Sequence, residues 1–243
     1  MRFINCKIKS GLVLTLVLLL IFPYKIIYAK NVKVPTKIIL IDPGHGGIDG
    51  GAQAKDGTCE KDINLSISLK LKKYLESKKY KVIMTRQEDK GLYTEGGKIR
   101  KKKLEDLENR CKIKVNSNCD AFVSIHLNMF PESKYYGAQV WYGDNKESEK
   151  LAGIIQRNMI DNLDKNNKRK EKPAKNSYKI LRIGKDIPSV IVECGFLSND
   201  AERQKLKDVS YQQKIAESIG KSMEEFFKNQ SKDDGAQNIK SAN

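Results

Sequence analysis

The sequence predicts a single three-layer α/β domain, a mostly parallel twisted sheet of about five to six strands with helices on both faces. Three observations predict it. Short apolar runs alternate along the chain with stretches whose apolar residues recur at helical spacing. The runs "IILID" and "SVIVE" are apolar without alternation up to their last residue, as strands covered on both faces require. The chain's 243 residues, 39% of them hydrophobic, supply one sizeable core and show no internal repeat.

In chain order, "TKIILID" (36–42) reads as a central strand ended by Pro43 and Gly44. Ile63, Ile67, Leu71, Tyr74 and Leu75 then fall at helical spacing, so a helix fills the segment from Asp62 to Lys79. "YKVIMT" (80–85) is a second strand, and Ile99, Leu104, Leu107, Cys111 and Val115 mark a basic, solvated helix. "DAFVSIHLN" (120–128) is a third strand, and "GAQVWYG" (137–143) a shorter one expected at an edge. Leu151, Ile154, Ile155 and Met159 define a helix over 147–163, after which "DKNNKRKEKPAKNS" (164–177) has almost nothing to bury and reads as an exposed loop. "PSVIVECGF" (188–196) is another buried strand, opened by a proline where a missing donor matters least. Ile215, Ile219, Met223, Phe226 and Phe227 mark a closing amphipathic helix, so the folded domain spans 36–228 and 229–243 reads as a flexible tail.

The first ten residues carry only positive charge, and an apolar run from Gly11 to Phe22 follows. That run has the length of a signal-peptide core and is short for a membrane span, although Pro23 and "IIYA" extend it. Residues 1–29 are therefore expected to be a signal peptide, cleaved after Ala29, or an anchor retained through residues 11–28. Either outcome exports the domain.

Formal net charge is +16, and stripping residues 1–29, with four basic and no acidic side chains, leaves +12. The lysines are spread along the chain without interleaved aromatics and without a nucleic-acid motif, so nucleic acid is not expected as a partner. For an exported protein the natural polyanions are cell wall and lipid headgroups. The five cysteines, at 6, 59, 111, 119 and 194, form no C-x-x-C and define neither a disulfide framework nor a thiolate metal site. Buried free thiols are expected, a Cys111 to Cys119 bridge being the alternative.

In open α/β sheets, ligands bind at the carboxyl ends of the strands. His45 comes three residues after the first strand, His126 ends "FVSIH" and Glu193 ends "SVIVE". These are the chain's two histidines, and both fall at one predicted edge. A catalytic zinc keeps three protein ligands and one open position, so two imidazoles call for one carboxylate. Glu60 at the start of the first helix is the foremost candidate, while Asp42, Asp49, Asp56 and Asp62 remain open on spacing alone. Glu193, in an otherwise apolar strand, must reach a partner or a site, because an unpaired buried charge is costly. Either it transfers protons at a metal site, or it forms an ion pair with Arg182 or Arg86. The glycines of "PGHGGIDGG" are not followed by Gly-Lys-Ser/Thr, which excludes a P-loop.

The stretches "IDPGHGGIDGGA", "CEKDINLSISLKL", "VIMTR", "VNSNCDAFVSIHLN" and "IPSVIVECGFLSND" resemble, in this order, the motifs of the zinc-dependent N-acetylmuramoyl-L-alanine amidases of the third amidase type. The resemblance spans roughly 36–228. It implies that His45, Glu60 and His126 bind one Zn2+ and that Glu193 is the catalytic carboxylate. It also implies that Asn128, Arg86 and Arg182 lie near substrate. Members of that family cut the amide between the lactyl group of N-acetylmuramic acid and L-alanine of peptidoglycan. One catalytic domain behind an N-terminal hydrophobic segment is most similar to the sporulation-associated CwlD-type members, which act in spore-cortex formation so that muramic-δ-lactam can be made. That would place the chain on the extracytoplasmic face of the membrane, in the cell wall or in the forespore intermembrane space. The alternative is a peptidoglycan-binding module without activity. With no wall-binding repeats in view, a protein partner is expected to localise or activate the domain through the basic 164–177 loop or an exposed helix.

Overall fold

A computed structural model describes residues 36–241, with side chains described through 233. The expected signal peptide or anchor, and Cys6, lie outside the described residues. The strands are β1 (Ile38–Pro43), β2 (Lys81–Met84), β3 (Ala121–Asn128), β4 (Gln139–Tyr142), β5 (Lys172–Pro173) and β6 (Ser189–Phe196). The helices are α1 (Glu60–Ser77), α2 (Ile99–Asn116), α3 (Lys146–Leu163), α4 (Lys179–Arg182), α5 (Asp200–Lys207) and α6 (Val209–Ser241). They build one six-stranded sheet of order β2-β1-β3-β6-β4-β5. All neighbouring pairs are parallel except β4 with β6. The fold is thus the mostly parallel α/β sheet that the alternating pattern requires.

Side chains along each strand alternate between two faces. Ile39 and Ile41, Val123 and Ile125, and Val190 and Val192 point to one face, where α1, α3 and α6 cover them with Ile67, Leu71, Ile155, Ile219 and Phe226. Leu40, Phe122 and Ile191 point to the other, under Cys111 of α2 and Ile180 and Leu181 of α4. This second cover is smaller. Continuing the same alternation beyond Leu40, Phe122 and Ile191 brings up Asp42, Ser124 with His126, and Glu193, so the polar residues form a row on the less covered face. The register pairs Asp42 with Ser124 and His126 with Glu193.

Three segments differ from expectation. β4 is interior, between β6 and β5, and the edge belongs to β5. The 164–177 segment is not a plain loop: Asn167 and Ala174 are buried, and Lys172–Pro173 pairs with β4. Its composition hides this because a two-residue strand with a lysine and a proline leaves no periodic signal, yet suits an edge. At the other end, helix α6 runs on to Ser241 through the segment expected as a tail. Gln230 Nε2 donates to Glu147 of α3, which ties its continuation to the domain. The four described cysteines are free thiols, and Cys111, Cys119 and Cys194 are buried.

Candidate metal centre

Two glycines let the β1 loop approach the strands and helix that complete the site. A Cβ on Gly44 would lie 2.3 Å from the His126 ring, and one on Gly51 would lie 2.6 Å from Glu60 Oε2 and 2.7 Å from the His45 ring. Between them His45 adopts φ +62°, a left-handed conformation that costs a non-glycine residue on the order of 1 kcal/mol. Arg86, after β2, offsets that strain. Its guanidinium donates to the carbonyls of Pro43, Gly44, Lys61 and Glu88. Arg86, expected near substrate, is buried here with its guanidinium donors committed to backbone. Arg110 of α2 acts alongside, donating to Asp42 Oδ1 at 2.6 Å and to the His45 carbonyl at 2.6 Å.

Glu60 opens α1, where it is nearly fully buried. Its Oε1 accepts from the Leu127 amide at 3.0 Å and from Asn64 Nδ2 at 3.2 Å, and its Oε2 accepts from the Ala52 amide at 2.8 Å. The same oxygens lie 3.0 Å from His126 Nδ1 and 3.2 Å from His45 Nε2. One ligand atom from each of His45, Glu60 and His126 falls within 4.8 Å of the other two. Two imidazoles and a carboxylate so converged fit a borderline-soft divalent ion with an open coordination position.

Of the rival carboxylates, Asp42 is taken up by Arg110, Thr85 and Ser124. Burial alone would raise its pKa, but Arg110 and the two hydroxyls hold it down at about 2. Asp56 bonds Thr58 and pairs with Arg203 and Lys207, and Asp62 faces solvent. Asp49 has a different place, which the sequence reading missed. Its Oδ2 lies 2.8 Å from His45 Nδ1 and its Oδ1 lies 2.7 Å from Lys103 Nζ, so it orients the imidazole from behind. Burial depresses the His45 pKa, but Asp49 and Glu60 outweigh it and raise it to about 9. A spacing of four residues after the histidine was the available signal.

Glu193 meets the opposite conditions from Glu60. It is 7% exposed, and its Oε2 has no hydrogen-bond partner. Burial, with a smaller contribution from the Glu60 charge, pushes its pKa up to about 7 against the pull of the two histidines. It pairs with neither Arg86, whose donors are committed, nor Arg182, which is exposed on α4. Asn128, at the end of β3, accepts the Met129 amide with its Oδ1.

The histidines open on a cleft of about 260 Å³, walled by Asp42, Lys103 and Arg110 on one side and by 177–180 on the other. Tyr178 belongs to that second wall, held by its ring against Trp141 at 5.7 Å. Burial first, then the charges of Glu193 and Glu60, raise its phenol to about 12.

A mostly parallel α/β sheet with a two-histidine, one-glutamate cage and a proton-holding carboxylate at its strand ends defines a metal-dependent hydrolase. Residues 39–225 match the family model described as N-acetylmuramoyl-L-alanine amidase, and the chain belongs to that family of metal-dependent peptidoglycan amidases. It is 38% identical over 219 residues to the germination-specific N-acetylmuramoyl-L-alanine amidase of Bacillus subtilis, covering 86% of this chain and 91% of that one. Among solved structures it resembles the CwlD amidase of Clostridioides difficile in complex with the GerS lipoprotein, at TM-score 0.77 and 47% identity over 79% of this chain and 99% of that one. An N-acetylmuramoyl-L-alanine amidase of Clostridium difficile 630 matches at TM-score 0.69 and 30% identity, covering 80% and 98%.

Proposed function

We propose that this chain is a CwlD-type, zinc-dependent amidase of spore peptidoglycan, with His45, Glu60 and His126 holding one zinc ion and Glu193 moving the proton. Zinc, when bound there, supplies the positive charge that polarises the scissile carbonyl and acidifies the attacking water. Glu193 takes the water's proton and delivers it to the nitrogen of the departing L-alanine, so one water yields a lactyl carboxylate and a free amine. Asp49 keeps His45 in place, and Asn128 contacts substrate at the mouth of the cleft.

The observation that carries this reading is the unpartnered Glu193 Oε2, buried beside the His126 register position and poised near neutrality. A binding module would have no use for so costly an arrangement. Similarity to a germination-specific amidase supports action on the spore cortex, outside the cytoplasm. No helix among the described residues is long and apolar enough to cross a membrane. The relative that is a complex with a lipoprotein supports a protein partner here, contacting the exposed lysines of 164–177 or an exposed helix.

The test is Glu193→Gln with purified peptidoglycan as substrate. The variant is expected to keep its zinc and to release N-terminal L-alanine at least about 100-fold more slowly than wild type. Turnover near the wild-type rate would remove Glu193 from the mechanism. Full zinc occupancy and activity of the chain by itself would dismiss the partner.

A further inference from the structure

The loop that follows β3 carries a feature the reaction does not use. In the loop 129–136, Met129, Phe130 and Tyr136 are 45%, 48% and 45% exposed. The Phe130 ring stands 5.2 Å from Tyr135, and both rest on the buried Phe196, at 6.3 and 6.4 Å between centroids. The Phe130 amide donates to Ser198 Oγ, which fixes the ledge to the turn after β6. Grouped aromatics exposed at one place on a soluble domain mark a binding surface.

A chain of contacts links the ledge to the strand that carries Glu193. The Arg169 guanidinium lies 4.5 Å over the Phe196 ring and also donates to Gln139 Oε1, at 3.2 Å, and Gln139 is the register partner of Glu193. Phe130 follows His126 by four residues, so chain geometry caps their Cα separation at about 14 Å. The walls of the cleft itself differ in kind: Lys103 stands on one and Lys179 on the other.

We propose that Phe130 and Tyr135 form a stacking subsite for the glycan strand of peptidoglycan, gripping a sugar next to the muramic acid whose stem is cut. The inference rests on the amidase reading above. A polymer whose scissile bond enters the cleft must lay its remaining length on the rims. Sugar rings offer apolar C–H faces that match aromatic surfaces, whereas stem peptides offer carboxylates that match lysines. The ledge therefore takes glycan, and the lysines of the cleft walls take peptide.

The test measures binding of peptide-free strands of alternating N-acetylglucosamine and N-acetylmuramic acid by calorimetry, beside cleavage of intact peptidoglycan. Phe130→Ala is expected to weaken strand binding, and to raise KM on the polymer, by about fivefold to tenfold. Its kcat stays within about twofold and its metal content is unchanged, while Phe130→Trp restores affinity. Wild-type strand affinity in Phe130→Ala, or a loss confined to kcat, overturns the subsite and leaves the ledge to a protein partner. Strand binding needs no turnover, so a wild-type chain that binds peptide-free strands but releases no stem peptide from intact peptidoglycan would sink the amidase reading and not this one.

Discussion

The two faces of the sheet are built from the same strands and behave differently. Under α1, α3 and α6 every strand position is apolar to its end, and Leu71, Leu75, Ile155 and Ile219 are fully buried. Under the shorter cover of α2 and α4 the apolar residues stop halfway, and Asp42, Ser124, His126 and Glu193 take over. One face holds the molecule together and the other does chemistry. The site also contains two buried glutamates with opposite fates: Glu60 is ionised far below the ordinary range among histidines and amides, and Glu193 is held near neutrality by burial without a partner. Pairs of acids pushed apart in this way divide the labour of a site.

Removing a side chain from each face should break the comparison in two different places. His126→Ala takes away one of the three proposed ligands, and peptidoglycan cleavage should fall by a factor of about 1,000 or more while zinc content, read by metal analysis, drops towards zero. A variant with full zinc and activity would break the proposed centre. Leu71→Ala, on the packed face, should cost about 2–5 kcal/mol in chemical denaturation. The kcat of its folded fraction should be that of wild type. A large kcat change there would show that the two faces are not independent.

The asymmetry also decides what was legible beforehand. "IILID", "FVSIH" and "SVIVE" announce themselves as buried strands that end in polar residues, so the positions of His126 and Glu193 at one edge followed from periodicity. What periodicity does not carry is the reach of a side chain. Arg86 and Arg182 sit in comparable short motifs, yet one is buried under four carbonyls and the other faces solvent. Asp49 looked like a rival ligand because it shares a loop with His45, and only the left-handed turn at His45 places it behind the ring. β5 escaped notice since two residues cannot display a period, and α6 ran past its expected end because helix continuation there depends on contacts with α3 that local composition does not encode.

The Glu193 carboxyl sharpens the contrast through pH. Its folded pKa, about 7, lies above the ordinary glutamate value of 4.5. The native state therefore holds this proton more tightly than the unfolded chain, and the associated stability is complete below about pH 4.5 and lost as pH rises through about 7. Each pKa unit is worth about 1.4 kcal/mol, so ionising Glu193 costs the metal-free fold about 3–4 kcal/mol at pH 8. Glu193→Gln should accordingly raise the melting temperature of the metal-stripped protein at pH 8 and leave it nearly unchanged at pH 4.5. An equal gain at both values would mean that the site does not charge a buried, unpartnered acid.

A smaller effect belongs to the residue that stands one contact behind the proposed ligands. Asp49 touches no expected ligand atom; it holds His45 Nδ1 at 2.8 Å, is itself held by Lys103 and leaves Nε2 facing Glu60. Asn at this position keeps the size of the side chain and removes its charge, so the imidazole loses both its fixed tautomer and part of its basicity. Asp49→Asn should weaken zinc about 10- to 100-fold in competition with a chelator, equivalent to about 1.4–2.7 kcal/mol. At saturating zinc its kcat should return to within severalfold of wild type, because the group that moves the proton is untouched. A kcat deficit that persists at saturation would place Asp49 in the reaction itself and make the chemical face larger than the row that ends β3 and β6.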